Sequence, residues 1–517
     1  MEICKVIIMK LLSNSSTYVS YRIAISLSVL MLPIIMVSCN FSFTPDKPLE
    51  AETTVSINLN QRRQVIEGFG GSNAWLSLPA DSSLKNKLVN LLFSREDGIG
   101  LTILRNRIPF REQNKDGNDD KFINKDGSNN YIYTENEGIK TFSLNWTNWD
   151  LQNTRTLITM IKTLPQGPEQ LKIMSTPWTP PNNAVTKWKQ NVPNIQDYPE
   201  IGGNLDPARY TDYADLLADY VNQFTEQMGY PLSIFSIQNE PTWQPNYESC
   251  TWDGNQIRDF LKILGNRFSR KGVPSTLRII APEDENFRED LVLPTLADTE
   301  ARSVLSIVGV HQYDYKHKAN FAAQRLSQTR AYNKDLWMTE VSDGGPNDPS
   351  IIDGLVWAQV IHHDMVLAEV NAFLYWWLWT NTSSSYQSGS SLLHVINNSS
   401  IQKNKRFYTL GQYSRFIRPG SVRLDVASEP LSGLLMSAYV SPENAKVIVV
   451  GINTNSYERC IQIHLDGIIA TSEIRLWRTS ETENLTAIPQ NEIYSIGTNY
   501  VLVRLAPLSV STLTIEN

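Results

Sequence analysis

Between residues 64 and 380 the chain repeats one unit eight times: a short apolar run rich in β-branched residues, then a longer stretch of mixed polarity. The runs are QVIEGFG (from Gln64), GLTILRNRI (from Gly100), QLKIMSTP (from Gln170), LSIFSIQNE (from Leu232), TLRIIAPE (from Thr276), LSIVGVHQY (from Leu305), DLWMTEV (from Asp335) and AFLYWWLW (from Ala372). Between them, Tyr213, Leu217, Tyr220, Phe224 and Met228 recur in steps of three or four, as do Trp357, Ile361, Met365 and Ala368, which predicts helices. Parallel strands joined by crossover helices produce this alternation. Eight repeats predict an α/β fold, a closed (β/α)8 TIM barrel over 64–414, with reacting groups at the C-terminal ends of its strands. An open doubly wound sheet is the alternative, but no G-x-G-x-x-G turn or Walker-type loop supports it.

After residue 415 the texture changes to short alternating strands (VRLDV, LLMSAYV, AKVIVVGI, CIQIHL, EIRLW, YVLVRL, STLTI), which predicts a β-sandwich over 415–517. TTVSINLN, within 53–63, is expected to add an N-terminal strand to it. Residues 111–145 read as a polar Asn/Asp/Gly-rich insertion on the active face. Their NKDGNDD invites a calcium loop, but Asp119 stands where an EF-hand needs Gly, which favours a solvated loop.

Near the N-terminus, Arg22 precedes the apolar run 23–37, which is shorter than the roughly 20 residues a membrane span requires. Residues 1–39 therefore read as an export signal, with Met9 an alternative start, and Met36-Val37-Ser38-Cys39 resembles a bacterial lipobox. Cys39 would be lipidated and 40–52 would be a tether, so the expectation is an exported protein anchored to a bacterial outer membrane or cell surface; a secreted or periplasmic protein is the alternative. Of the four cysteines only Cys250 and Cys460 remain, with no zinc-ligand spacing; two unpaired buried thiols are the expectation, a single disulfide the alternative. Acidic residues outnumber basic ones, 53 to 46, and no long basic run occurs, so nucleic acid is excluded as a partner. The 13 Trp, 21 Tyr and 16 Phe suit either stacking on sugar rings or a large aromatic core.

The fourth run ends in Ser236-Ile237-Gln238-Asn239-Glu240-Pro241 and the seventh in Trp337-Met338-Thr339-Glu340-Val341. An apolar strand that closes on a carboxylate puts a charge at the barrel rim, where burial can move its pKa. Retaining glycosidases need two such carboxyls about 5 to 5.5 Å apart. The structural alternative is that each Glu pairs with a nearby Arg. No His cluster, HExxH or G-x-S-x-G elbow offers competing chemistry, and neither a metal nor a cofactor is expected.

These features resemble glycoside hydrolase family 30. The matching pieces are GFGGSNAW (68–75), ILRNRI (103–108), STPWTPP (175–181), GGNL (202–205), SIQNEPTW (236–243), HQY (311–313), LWMTEV (336–341), YWWLW (375–379) and RFIRPGSVRLDV (415–426), and the likeness spans nearly the whole mature chain. Within the family the chain most resembles the bacterial (glucurono)xylanase subfamily. The resemblance implies Glu240 as acid/base, Glu340 as nucleophile, Asn239 as partner of the sugar 2-hydroxyl and Tyr313 as the phenol orienting the nucleophile. It implies Trp178 and Trp376 as sugar-contacting walls, with Trp243 a further substrate contact. Trp75 and Arg105 would line the base of the site, though Arg105 could be a structural ion partner and Trp377 could face the core. The two Glu are expected to have environments that push their pKa values apart.

Glucuronoxylan-specific relatives carry Arg just after the strand-eight Trp pair; here the stretch reads Leu378-Trp379-Thr380-Asn381-Thr382-Ser383-Ser384-Ser385-Tyr386. The resemblance thus implies a monomeric retaining glycosidase acting on a β-linked plant polysaccharide, foremost an endo-β-1,4-xylanase, without strict dependence on glucuronate. Other family specificities (endo-β-1,6-glucanase, β-xylosidase, glucosylceramidase) and a non-catalytic surface glycan-binding lipoprotein are the alternatives.

Overall fold

A computed structural model describes residues 50–111, 122–313, 324–382, 389–467, 473–489, 493–495 and 499–516. The signal, the lipobox Cys39 and the Asp119 loop lie outside the described residues.

Eight parallel strands form the barrel: β1 (Gly68–Ser72), β2 (Ile103–Ile108), β3 (Lys172–Pro177), β4 (Ile234–Ser236), β5 (Arg278–Asp284), β6 (Leu305–His311), β7 (Asp335–Glu340) and β8 (Ala372–Thr382). Each pairs with its sequence neighbour, and the ring closes where Ala372 and Phe373 of β8 meet Gly68 and Phe69 of β1. Its interior is filled by Ile103, Met174, Ile234, Ile280, Ile307, Trp337, Ala372 and Leu374, inward residues of seven strands. β1 contributes glycines instead, because a Cβ on Gly70 would stand 2.2 Å from the Ile103 carbonyl oxygen. At the opposite end from the strand C-termini, Glu67 pairs with Lys172 (3.0 Å) and Arg278 (2.6 Å).

The predicted helical positions fall on the buried side of Tyr210–Met228, which Gly229 ends in a left-handed conformation (φ 67°). Trp357 and Ile361 are likewise buried in the helix Ile351–His363, but Met365 and Ala368 lie in a π-helical turn, Asp364–Ala368, that follows it.

The first apolar run divides between two structures. Arg62–Val65 pairs antiparallel with Val422–Leu424, and the barrel strand starts only at Gly68. Thr53–Asn58 runs parallel to Arg459–Asp466 in the other sheet, so each sheet of the C-terminal β-sandwich takes one N-terminal strand. The run Lys446–Asn453 is apolar on both faces for a physical reason. Val447 and Val449 fill the space between the two sheets, while Ile448, Val450 and Ile452 join the barrel's core. Cys250 and Cys460 are buried free thiols.

The described part of the insertion is more ordered than its polar composition suggests. A hairpin, Tyr133–Asn136 with Ile139–Phe142, is pinned to the helix Tyr210–Met228, whose Asp215 and Asp219 accept from the backbone N–H groups of Lys140 and Phe142, both at 2.8 Å. Among the described residues no helix is long and apolar enough to cross a membrane.

Candidate active site

β4 ends at Ser236, so Gln238-Asn239-Glu240 is an irregular segment rather than strand. Its geometry is set by neighbouring strand ends: Asn239 N–H donates to the Pro177 carbonyl (2.9 Å) and Glu240 N–H to the Glu283 carbonyl (3.0 Å). Glu240 adopts φ 46°, and Trp75 (57°) and Glu283 (55°) are also left-handed. Such backbone strain in non-glycine residues is characteristic of functional sites. Glu340 is the last residue of β7.

The two carboxylates face one another. Glu240, His311 and Glu340 each offer one polar atom, and these atoms all lie within 4.8 Å of one another. His311 Nδ1 is 3.1 Å from Glu240 Oε1 and 3.9 Å from Glu340 Oε1. Arg105 Nη1 donates to Glu340 Oε2 (2.5 Å), and the Tyr313 hydroxyl donates to Glu340 Oε1 (3.1 Å). Arg105 Nη2 donates to Asn239 Oδ1 (2.6 Å) and lies 3.1 Å from Glu283 Oε1. This bond fixes Asn239 Oδ1 as the acceptor and leaves Nδ2 as the donor of that amide. Arg105 is therefore both an ion partner and the base of the site, fully buried at 0 % exposure with its guanidinium 4.9 Å from the Trp178 ring.

Burial alone would disfavour the His311 imidazolium, but the Glu340 charge and the hydrogen bonds to Glu240 and Glu283 outweigh it, holding His311 up at about 10. Burial would likewise raise Glu283, but Arg105 and His311 pull it down to about 2. For Glu340, burial pushes the pKa up; His311 and Arg105 oppose it, Glu240 reinforces it, and the net direction is upward. The environment of Glu340 therefore disfavours its carboxylate on balance, even though donors from Arg105 and Tyr313 reach both of its oxygens. A metal would find no lone pair on a protonated His311, and Arg105 already compensates Glu340, so the trio does not suit a cation.

Above the pair is a cleft of about 790 Å³ lined by Trp75, Trp178, Trp243, Tyr313, Trp376 and Trp377, among others. Trp178 lies 4.9 Å from Trp75 and 5.8 Å from Trp376 between ring centroids, and Trp376 stacks on Trp377 at 5.3 Å. Trp377 thus faces the cleft, its indole N–H donating to the Ala74 carbonyl (2.9 Å). All the sequence-predicted residues from Trp75 to Trp376 gather here, with Arg105 and Asn239 beneath the cleft. His311 and Glu283 were not anticipated, although HQY and the end of TLRIIAPE contain them. A carboxylate closing the fifth strand is the same signal that marked Glu240 and Glu340.

Residues 52–291 match the family described as O-glycosyl hydrolase family 30. The chain is 26% identical over 475 residues to the glucuronoxylanase XynC of Bacillus subtilis, covering 90% of this chain and 93% of that one. It is 22% identical over 423 residues to putative glucosylceramidase 1 of Caenorhabditis elegans, covering 77% of this chain and 75% of that one. The solved structure of the family 30 subfamily 8 xylanase Xyn30A from Clostridium acetobutylicum superposes with a TM-score of 0.67 at 28% identity, covering 90% of this chain and 100% of that one. With the barrel, the sandwich and the facing carboxylates, these likenesses show that the chain carries a glycoside hydrolase family 30 domain, matched over residues 52–291, and is a glycosidase.

Proposed function

We propose that this glycosidase is a retaining endo-β-1,4-xylanase acting on neutral or lightly decorated xylan, including arabinoxylan. The observation that carries the reading is the close approach of Glu240 and Glu340, within 4.8 Å between polar atoms, at the floor of an aromatic cleft. That spacing suits double displacement and is too small for a water to stand between an inverting pair. Glu340 attacks the anomeric carbon as the glycosidic C–O bond breaks, and Glu240 protonates the departing oxygen. Glu240 then takes a proton from water, which attacks the glycosyl ester and frees Glu340. Arg105 and Tyr313 hold the nucleophile's oxygens in place, and His311 restrains Glu240.

Xylan as substrate is supported by the xylanases among the relatives, XynC and Xyn30A included, and independence from glucuronate by the stretch 378–386, which contains no Arg. On its sequence the enzyme is exported and lipid-anchored through Cys39, facing polysaccharide outside the cell.

Product chromatography tests the reading on linear xylan, arabinoxylan, glucuronoxylan and β-1,6-glucan. Xylo-oligosaccharides of several lengths from linear xylan, at rates comparable to glucuronoxylan, are expected. Cleavage confined to glucuronate-bearing chains, or activity on β-1,6-glucan alone, would refute it.

A further inference from the structure

Besides Glu240 and Glu340, the cleft is lined by two carboxyls that the mechanism above does not use: Glu248, which is ion-paired with Arg107, and Glu285. Glu285, just beyond β5, lines it beside Asn286 and Trp243. The Thr242 hydroxyl lies 2.5 Å from Asp284 Oδ1 and 2.5 Å from Glu285 Oε2. One hydroxyl has one proton, so full hydrogen bonds to both carboxyls require a proton on one of them. Asp284 Oδ2 already accepts from Arg288 Nε at 2.5 Å, which favours its ionised form and leaves the proton to Glu285. In agreement, burial and then the hydrogen bond that Glu285 donates to Asp284 push Glu285 up to about 7. Asn286 Nδ2 donates to Glu285 Oε1 (3.0 Å), and the Tyr313 N–H holds the Glu285 carbonyl (3.0 Å). Beside this fixed polar edge, Trp243 is 51 % exposed and its side chain is hydrogen-bonded to Tyr247. An open indole face next to fixed hydrogen-bonding groups suits a neutral sugar ring.

Position assigns that ring. A line from Glu240, after β4, to Glu340, at the end of β7, divides the barrel mouth. Trp75, Trp178, Trp376 and Trp377 come from the arc of β8, β1 and β3; Trp243, Glu285 and Asn286 come from β4 and β5. Glu240 delivers its proton to the departing oxygen, and Thr242 ties Glu240's own loop to Glu285. We infer that Trp243, Glu285 and Asn286 form the subsite for the departing sugar, with Glu285 and Asn286 as specificity-determining residues that bind its hydroxyls. This rests on the hydrolase reading above.

The test compares kcat/KM on xylotetraose, whose leaving group is a sugar, with that on 4-nitrophenyl β-xylobioside, whose leaving group is not. Removing Glu285 (Glu285→Ala) or Asn286 (Asn286→Ala) is expected to lower the xylotetraose-to-aryl ratio about tenfold, the scale of one or two lost hydrogen bonds. Glu285→Gln, whose amide still donates and accepts, should restore most of the ratio. An unchanged ratio in both alanine variants, or parallel losses on the two substrates in both, would overturn the subsite. A wild-type enzyme inactive on both probes would instead sink the xylan reading, and the subsite with it.

Discussion

His311 Nδ1 lies 3.1 Å from Glu240 Oε1, and the same buried ring reaches Glu283 Oε1 at 3.7 Å through Nε2. One imidazolium thus joins the ends of β4, β5 and β6 and supplies positive charge between acidic groups that would otherwise repel.

The sign of this linkage is testable. The folded-state pKa of His311, about 10, exceeds its ordinary 6.5, so its contribution to stability is fully present below about pH 6.5 and is lost as pH rises through about 10. Urea midpoints of wild type and His311→Gln should differ most near pH 6 and converge toward about pH 10. A difference that stays constant over this window would contradict a charged His311.

Arg105 is expected to act through Glu340. Arg105→Gln removes the cation 2.5 Å from Glu340 Oε2, which disfavours the carboxylate further and raises a pKa already raised by burial. The acid limb of the kcat/KM profile should move to higher pH, while Arg105→Lys, which keeps the charge, should leave it nearer the wild-type position. Breaking a buried pair also costs about 3 to 5 kcal/mol of stability, measurable by denaturant unfolding.

Glu340→Gln and Glu240→Gln should each remove nearly all turnover, by 10²-fold or more on the scale of lost acid–base or nucleophilic catalysis, roughly 10² to 10⁴. Circular dichroism should report an intact fold, because amide and carboxyl are nearly isosteric. Wild-type-like rates in either variant would refute the assignment.

Trp376→Ala removes an indole that stacks on Trp377 and stands 5.8 Å from Trp178. If it is a wall for sugar, KM on xylan should rise about tenfold, the scale of one aromatic contact, with kcat changed much less. A fall in kcat with KM unchanged would point to a structural role instead.

Several site residues were legible along the chain because their signal is local. Glu240 and Glu340 each follow an apolar run, and the aromatics stand in short recognisable motifs. His311 and Glu283 also sit at strand ends, and the predicted strand order already puts their strands between those of Glu240 and Glu340, but nothing near them in sequence says that both side chains turn inward onto the pair. The run from Gln64 misled for a related reason: periodicity registers that residues 62–72 are extended, not that Arg62–Val65 pairs with Val422–Leu424 while Gly68–Ser72 joins the barrel.

The order of strands and helices, the composition of the barrel's interior and the two strand-end carboxylates are properties of the sequence, since each depends on residues a few positions apart. Which way a proton leans at Glu340, which acids Arg105 and His311 neutralise, and which side of the cleft Glu285 lines were decided by tertiary structure alone. Coulomb energy and desolvation depend on distance and burial in space, and residues 105, 283, 311 and 340 acquire both only when the barrel closes.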